Sequence, residues 1–287
     1  MIYFQSTAGV VQFAQELVSP SVYLDHWALR EISESESLCC RLSEALRVTG
    51  GTLALSWLNV VEFTKVTDET QRNKADQCLN SLGSHVFWLN PDFLTVTKHE
   101  RESAPQPPPG APHSDLQMAA RFIANGLSGP ADTTQVLGPQ SHFAVIQRIP
   151  GILAQYDQLA DDIVAQITEL RRDFEHRKDM RAAIQAPLTA EPYSRGTNLI
   201  ARHLIAPFLK DKLRTINRNN AIDLTHAVVP VSYCDYVLLD GQWAAMVNDL
   251  RHRITTAGLS VPIATVFTKK ANGLGAFLAE LEAQTAS

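Results

Sequence analysis

Four acidic residues, Asp25, Glu62, Asp223 and Asp240, stand where their carboxylates could act together. Carboxylates held close to one another repel and raise each other's pKa unless a cation neutralises them. The cation favoured by such a set of oxygen ligands is a hard divalent ion, Mg²⁺ or Mn²⁺. Ions of this kind hold phosphate oxygens and activate water for displacement at phosphorus. The four acids are therefore predicted to be both the metal ligands and the catalytic groups of phosphodiester hydrolysis.

The elements that must position these acids are predicted from the hydrophobic pattern. Short apolar runs indicate strands, and the segments between them, whose apolar residues recur every three or four positions, indicate helices. The predicted strands cover residues 21–25, 52–56, 85–89, 236–239 and 261–267. The predicted helices cover residues 29–48, a segment capped by Asn59, and residues 75–83, 222–233, 243–254 and 274–282. Strands that alternate with helices predict an α/β fold with a parallel sheet between helices.

The alternation is interrupted by a proline-rich stretch, PQPPPGAPH, at residues 105–113. Proline removes a backbone donor, so this stretch cannot form a helix or a central strand. Beyond it only helical segments are predicted, at residues 116–124, 152–184 and 197–216. The predicted organisation is one α/β domain in two parts, residues 20–100 and 218–287, separated by a helical insertion at residues 101–217.

One edge of the predicted sheet should bring the acids together. In an open parallel sheet, the carboxyl ends of the strands and the amino ends of the following helices share the edge where ligands bind. Asp25 and Asp240 end predicted strands, whereas Glu62 and Asp223 lie in the first turns of predicted helices. A single Asp at such a position is commonly a helix cap. The four together predict one acidic cleft.

Three segments of the sequence resemble the PIN domain family of metal-dependent nucleases. They are VYLDHW around Asp25, LNVVEFTKV around Glu62, and NNAIDLTHAVVPVSYCDYVLLD, which contains Asp223 and Asp240. The resemblance covers about residues 20–100 and 217–285, and the long helical insertion departs from it. It implies a small parallel sheet between helices, a metal site built from the same four acids, and single-strand ribonuclease activity. Many members of the family are single-strand ribonucleases, including toxins of toxin–antitoxin pairs.

Asp235 and His26 lie next to the predicted site but are expected to face away from it. The strand between Asp235 and Asp240 spans about 16 Å at about 3.3 Å per residue, so both cannot lie at one edge. We expect Asp240 at the cleft and Asp235 at the far end, as a cap at the strand entry. His26 follows Asp25, and alternation in an extended segment would turn its side chain away from the cleft.

His226 and Lys65 are the candidate substrate-binding residues closest to the acids. His226 lies one helical turn after Asp223 and could position a phosphate or a water molecule, or could be a structural histidine bonded to a backbone carbonyl. Lys65 follows Glu62 by three residues and could contact phosphate, or could be a solvated surface lysine. The residues leave both alternatives open.

Basic residues are concentrated near the end of the insertion. Residues 171–218 contain eleven Lys and Arg against five Asp and Glu, although the whole chain has a net charge of −5. Arg202, Lys210, Arg214 and Arg218 are the candidate phosphate contacts in this segment, which leads directly into Asp223. A cationic wall beside an anionic metal site would attract a phosphate backbone. The alternative is a solvated helix face or a surface that contacts a protein partner.

Composition narrows the class of protein. The 287 residues are 45% hydrophobic, which is enough for a real core, and no globally basic charge indicates a nucleic-acid binder. Four cysteines without a CxxC spacing predict reduced thiols in a cytoplasmic protein. No stretch is long and apolar enough for a transmembrane helix, and the N-terminal residues do not resemble a signal peptide.

These observations and the resemblance together predict a PIN-like endoribonuclease that uses Mg²⁺ or Mn²⁺ to cleave single-stranded RNA, with an antitoxin or other protein as a further partner. The sequence leaves open whether the protein forms a homodimer. One alternative is a non-catalytic RNA-binding or scaffold module whose functional surface is the helical insertion. Another is a structure-specific DNA nuclease, which would also use clustered acids. The residues alone specify a phosphodiester substrate, and RNA is favoured only by the resemblance.

Overall fold

The computed structural model describes residues 1–7, 10–102, 113–126, 142–188, 196–211 and 213–286. Within them, the strands are β1 Ile2–Thr7, β2 Val10–Gln15, β3 Ser21–Leu24, β4 Thr52–Leu55, β5 Val86–Trp88, β6 Tyr236–Leu238 and β7 Thr265–Phe267. The helices are α1 His26–Glu34, α2 Glu36–Thr49, α3 Trp57–Val66, α4 Glu69–Ser81, α5 Phe93–Glu102, α6 Leu116–Gly126, α7 His142–Arg148, α8 Ile152–His176, α9 Lys178–Gln185, α10 Thr197–Lys210, α11 Arg218–Tyr233, α12 Gly241–Thr256 and α13 Gly273–Ala283.

Five strands form a parallel sheet in the order β5-β4-β3-β6-β7. Side chains alternate between its two faces, so that Val22 and Leu24 of the central strand β3 enter one core layer and Tyr23 enters the other. All three are buried, because helices cover both faces of the sheet. The predicted α/β fold with a parallel sheet between helices is therefore confirmed.

The segment predicted as an insertion is part of the same core. Ile163 and Ile167 of α8 and Leu204 of α10 are buried in the layer that contains Tyr23. Phe143 of α7 is buried in the opposite layer. These helices thus cover both faces of the sheet.

Helix boundaries differ from the sequence prediction where a local cap competes with the hydrophobic period. The predicted helix 29–48 is two helices, because the Ser35 side chain accepts a hydrogen bond from the Leu38 amide and starts α2. The predicted helix 152–184 is interrupted at Arg177, whose backbone is extended. The helix predicted over 197–216 ends at Lys210. Residues 103–112, which contain most of the proline-rich stretch, lie outside the described residues.

An N-terminal hairpin is present that the sequence analysis did not predict. Strands β1 and β2 pair antiparallel, apart from the main sheet. The Gln15 side chain donates a hydrogen bond to the Trp88 carbonyl (2.9 Å) and accepts one from the Trp88 amide (2.8 Å). Gln15 thereby bonds to both backbone groups of Trp88 on the edge strand β5, and the Asp115 amide also donates to the Trp88 carbonyl (3.0 Å), so this part of the edge is covered.

Two of the four cysteines form a disulfide. Cys39 on α2 and Cys78 on α4 are bonded, with their Cα atoms 5.7 Å apart, whereas Cys40 and Cys234 are free. The prediction of four reduced thiols is therefore wrong for this pair. The cysteines are 39 residues apart, and only the packing of α2 against α4 brings them together.

The described residues contain no helix that is both long and apolar enough to cross a membrane. The longest, α8, has 25 residues but carries acidic and basic side chains along its length. This agrees with the sequence expectation.

Candidate metal-dependent active site

Asp25 occupies the carboxyl end of the central strand β3, as predicted. Its amide donates to the Leu238 carbonyl (3.1 Å), which continues the pairing of β3 with β6. Its carboxylate accepts a hydrogen bond from the His26 amide (2.7 Å) and caps α1. The residue is thus both a helix cap and a half-buried acid at the edge of the sheet.

Glu62 lies on α3, the helix that follows the adjacent strand β4. The cap of α3 is Ser56, whose hydroxyl accepts from the Asn59 amide, so the prediction that Asn59 is the cap is wrong. Glu62 consequently lies in the second turn rather than the first. Asn59 is fully buried, and its amide group donates to the Leu24 carbonyl (2.9 Å), which ties α3 to the strand that ends at Asp25.

Asp223 and Asp240 complete the acidic group from the second part of the sequence. Asn217 caps α11, so Asp223 lies in the second turn of that helix, where Trp243 donates a side-chain hydrogen bond to it. Asp240 caps α12, where it accepts from the Gln242 amide (2.9 Å) and the Trp243 amide (3.0 Å). Both acids lie at the edge that β3 and β6 share.

A single cleft of about 830 Å³ is lined by all four predicted acids, Asp25, Glu62, Asp223 and Asp240. One potential ligand atom from each of Asp25, Glu62 and His226 lies within 4.8 Å of the other two. The parallel topology therefore brings together residues that are up to about two hundred positions apart in sequence, as the positions at strand and helix ends predicted.

Burial and mutual repulsion perturb two of these carboxyl groups. Burial, with the nearby charges of Glu62 and Asp223, raises the pKa of Asp25 from 3.8 to about 7. Burial also raises the pKa of Asp223 from 3.8 to about 6, and the charges of Asp240 and Glu62 add to the effect. Both carboxyl groups therefore bind a proton more readily than an ordinary aspartate, which is the behaviour of clustered acids without a neutralising cation.

Glu62 has the opposite shift because His226 pairs with it. Burial would raise the pKa of Glu62, but the His226 hydrogen bond and the charges of His226, His26 and Lys65 lower it below its ordinary value. Burial would likewise lower the pKa of His226, but the hydrogen bond and charge of Glu62 raise it. The site thus contains one ionised carboxylate held by a histidine.

His226 is held at both ring nitrogens. Its Nε2 lies 2.9 Å from Glu62 Oε2, and its Nδ1 is hydrogen-bonded to the Tyr23 hydroxyl. The Tyr23 hydroxyl is also 3.4 Å from Ser56 Oγ. His226 is therefore not the backbone-bonded structural histidine considered from the sequence. It is a buried residue that links the sheet to an acid of the cleft.

Asp235 lies at the far end of β6, as predicted. Its carboxylate accepts hydrogen bonds from the Ser19 hydroxyl (2.7 Å), the Ser21 amide (2.7 Å) and the Ser21 hydroxyl (2.9 Å). These bonds join the entries of β3 and β6. Asp235 is thus a structural residue.

Cationic side chains surround the acids at the mouth of the cleft. Lys65 and Arg218, both predicted substrate-binding residues, line it. Lys269 and Lys270 follow β7 and line it as well, although the sequence analysis did not single them out. Their position directly after a strand was the signal that could have found them, because that edge was already predicted to hold the site.

The remaining basic candidates, Arg202, Lys210 and Arg214, do not line the acidic cleft. Arg202 lines a separate apolar groove between α5, α9 and α10. Lys210 is exposed at the end of α10, and the Arg214 guanidinium lies 4.4 Å above the centre of the Phe208 ring. Within the described part of the basic segment, Arg218 is thus the residue at the cleft.

Three aromatic rings line the cleft that sequence reasoning did not place there: His26, Trp27 and Tyr156. The prediction that His26 faces away from the cleft is wrong, because α1 begins at His26, directly after the extended Asp25, and the alternation of a strand does not continue into the helix. Tyr156 comes from α8, and its ring lies 4.3 Å from the Lys65 ammonium. No local pattern could have placed Tyr156 at this site.

Comparisons of the chain with protein-family models, with curated proteins and with solved structures gave no match.

Proposed function

We propose that this cleft is the active site of a metal-dependent nuclease of the PIN type, which cleaves single-stranded RNA internally. The observation that carries the proposal is the convergence of Asp25, Glu62, Asp223 and Asp240 on one cleft, with the pKa of Asp25 raised to about 7. Four acidic side chains near one another would repel unless the site is built for a cation. The resemblance around these residues supports the RNA substrate.

The donor set fits Mg²⁺ or Mn²⁺. It consists mainly of carboxylate oxygens, which hard divalent ions prefer, and lacks the cysteine ligands of a structural zinc site. Asp25, Glu62, Asp223 and Asp240 would hold the metal. When bound, such an ion neutralises the carboxylates, polarises phosphate oxygens and makes a water nucleophile more acidic.

The protein's own residues have separable roles in this proposal. Tyr23 and His226 hold the Glu62 carboxylate in one orientation by the hydrogen bonds described above. Glu62, which stays ionised, can accept a proton from the attacking water. Lys65 and Lys270 at the mouth of the cleft bind phosphates on either side of the cleaved bond.

Aromatic side chains favour a single-stranded substrate. Trp27 and Tyr156 line the same cleft as the acids. Unpaired bases stack on aromatic rings, whereas bases within a duplex are already stacked on one another. The combination of stacking rings, flanking cations and clustered acids is what cleavage within a single strand requires.

A cleavage assay tests the proposal. Single-stranded RNA, single-stranded DNA and duplexes of one sequence are incubated with the protein in Mg²⁺, Mn²⁺ or EDTA. We expect metal-dependent internal cleavage of RNA, and its loss by about 10²-fold or more in Asp25→Asn and Asp223→Asn. Asp249→Asn, an exposed acid on α12, is the matched control and should retain activity. Absence of cleavage in every metal would contradict the proposal, and cleavage of DNA alone would favour the DNA nuclease alternative.

A further inference from the structure

Two acids of helix α8 are paired with cations at the mouth of the cleft. Asp157 Oδ1 lies 3.1 Å from Lys65 Nζ. The Asp161 carboxylate binds Arg218 through both of its oxygens, at 2.5 Å each. Lys65 and Arg218 are two of the cations that the sequence analysis proposed as contacts for substrate phosphates. In the folded chain, each is already bound to a carboxylate.

The two acids are fixed in this position by the core. Asp157 and Asp161 are four residues apart and therefore share one face of α8. Ala160 and Ile163, on the neighbouring face, are each 1% exposed and pack into the two core layers. Because α8 is anchored by buried side chains, its acidic face is held against the cleft.

The helical insertion therefore changes the charge at the cleft in the direction opposite to the one its composition indicates. Residues 171–218 carry a net positive charge, but the charged residue of α8 that lines the cleft, Asp157, is acidic. Lys269 is also paired, with Glu31 at 2.5 Å. Among the described residues, Lys270 is a cleft lysine without an ion-pair partner.

Resting on the proposed function, we infer that Asp157 and Asp161 compete with substrate phosphates for Lys65 and Arg218 and so set the affinity of the cleft for nucleic acid. A phosphate that reaches either cation must displace a carboxylate already bound there. The two acids thus lower the affinity of the cleft for any polyanion that is held by charge alone. Substrate specificity then depends more on the metal site and on base stacking against Trp27 and Tyr156.

The pairs are exposed enough for this exchange to occur. The side chains of Lys65 and Asp157 are 40% and 49% exposed, and those of Arg218 and Asp161 are 59% and 48% exposed. Exposed ion pairs are weak, so each pair should reduce affinity by roughly two- to five-fold. Each contact between a protein cation and a phosphate of a single-stranded ligand contributes about −0.7 to the slope of log affinity against log salt concentration.

The test is the double variant Asp157→Asn and Asp161→Asn. Affinity for a fluorescent single-stranded RNA 12-mer is measured by anisotropy over a series of salt concentrations, with Ca²⁺ in place of Mg²⁺ to suppress cleavage. The double variant should bind about four- to twenty-five-fold more tightly. Its salt slope should be steeper by about 1.4, because two cations become available to phosphates.

Asp162→Asn is the matched control. Asp162 is exposed on the same helix, and its carboxylate accepts a hydrogen bond from Gln158 (2.7 Å) instead of binding a cation. It removes one negative charge near the cleft without freeing Lys65 or Arg218, so its salt slope should equal that of the wild type. A second control adds Lys65→Gln and Arg218→Gln to the double variant, which should remove the gain.

Thermal melts of every variant verify folding, and cleavage in Mg²⁺ is measured in parallel. An unchanged slope in the double variant, or an equal gain in Asp162→Asn, would overturn the inference while leaving the nuclease proposal intact. If the wild-type protein shows no metal-dependent cleavage, the nuclease proposal is overturned, whatever the salt slopes show. A persistent gain when both cations are replaced would also refute the competition.

Discussion

Replacing Asp25 by Asn should stabilise the metal-free protein at high pH. The substitution removes the charge and keeps the shape of the side chain. Asparagine is also a good helix cap, so the hydrogen bond that Asp25 accepts from the His26 amide should persist. The change therefore isolates the cost of placing a carboxylate beside Glu62 and Asp223 in a half-buried cleft.

The size of the effect follows from the pKa of Asp25, which rises from 3.8 to about 7 on folding. An acid with a raised pKa binds more protons in the folded than in the unfolded state, so stability falls as the pH rises through the folded pKa. The penalty grows between the unfolded pKa of 3.8 and the folded pKa of about 7. A rise from pH 5 to pH 8.5 crosses about two pH units of that interval, which corresponds to about 3 kcal/mol. Water in the cleft screens the charge, so we expect roughly half, about 1.5 kcal/mol.

Thermal unfolding in EDTA is the measurement. For a chain of this length, about 1.5 kcal/mol corresponds to about 3 °C. The melting temperature of Asp25→Asn relative to wild type should rise by that amount between pH 5 and pH 8.5. Excess Mn²⁺ should raise the melting temperature of the wild type more than that of the variant, because only the wild type retains the Asp25 ligand.

Glu69→Gln serves as the control, since this acid is exposed in the first turn of α4 and does not line the cleft. Its melting temperature relative to wild type should show no comparable rise with pH. If the difference between Asp25→Asn and wild type is independent of pH, or has the opposite sign, the Asp25 carboxylate is not destabilised by its surroundings. The reasoning that the cleft is built for a cation would then be refuted.

Three further predictions concern the supports of the site. Tyr23→Phe should lower stability by about 1 kcal/mol, because it removes a buried hydrogen bond to His226, and should weaken Mn²⁺ binding measured by calorimetry; an unchanged affinity would show that the Tyr23 hydroxyl does not support the metal site through His226. Deletion of residues 105–217 should yield insoluble or molten protein by near-UV circular dichroism, because α8 and α10 bury apolar side chains against the sheet, and a cooperative melt would contradict this. A reducing agent should lower the melting temperature of the wild type but not of Cys39→Ser, because the disulfide closes a loop of 39 residues worth about 4 kcal/mol by chain entropy.

Residue order alone predicted the sheet and the acids at its edge. Strands that alternate with helices have few right-handed parallel arrangements, so the carboxyl ends of the strands had to lie together. This reasoning placed Asp25 and Asp240 correctly at strand ends. It also separated Asp235 from the site, because the length of a strand depends only on the number of its residues.

The residue at which a helix begins was harder to predict where two good cap residues lie close together. Ser56 and Asn59 are both good caps, and the hydrophobic period does not distinguish them. The structure selects Ser56, because Asn59 is needed inside the core to bind the Leu24 carbonyl. Likewise, Ser35 starts a new helix within a continuous helical period.

Only tertiary packing decided which residues surround the acids. Tyr156 and Asp157 come from a helix whose sequence shows an amphipathic period and no motif, and their position at the cleft depends on how α8 packs against the sheet. The disulfide and the pairing of Asp161 with Arg218 have the same origin. A sequence pattern records the backbone period of one element, whereas the contacts between distant elements follow from the shapes of their buried faces.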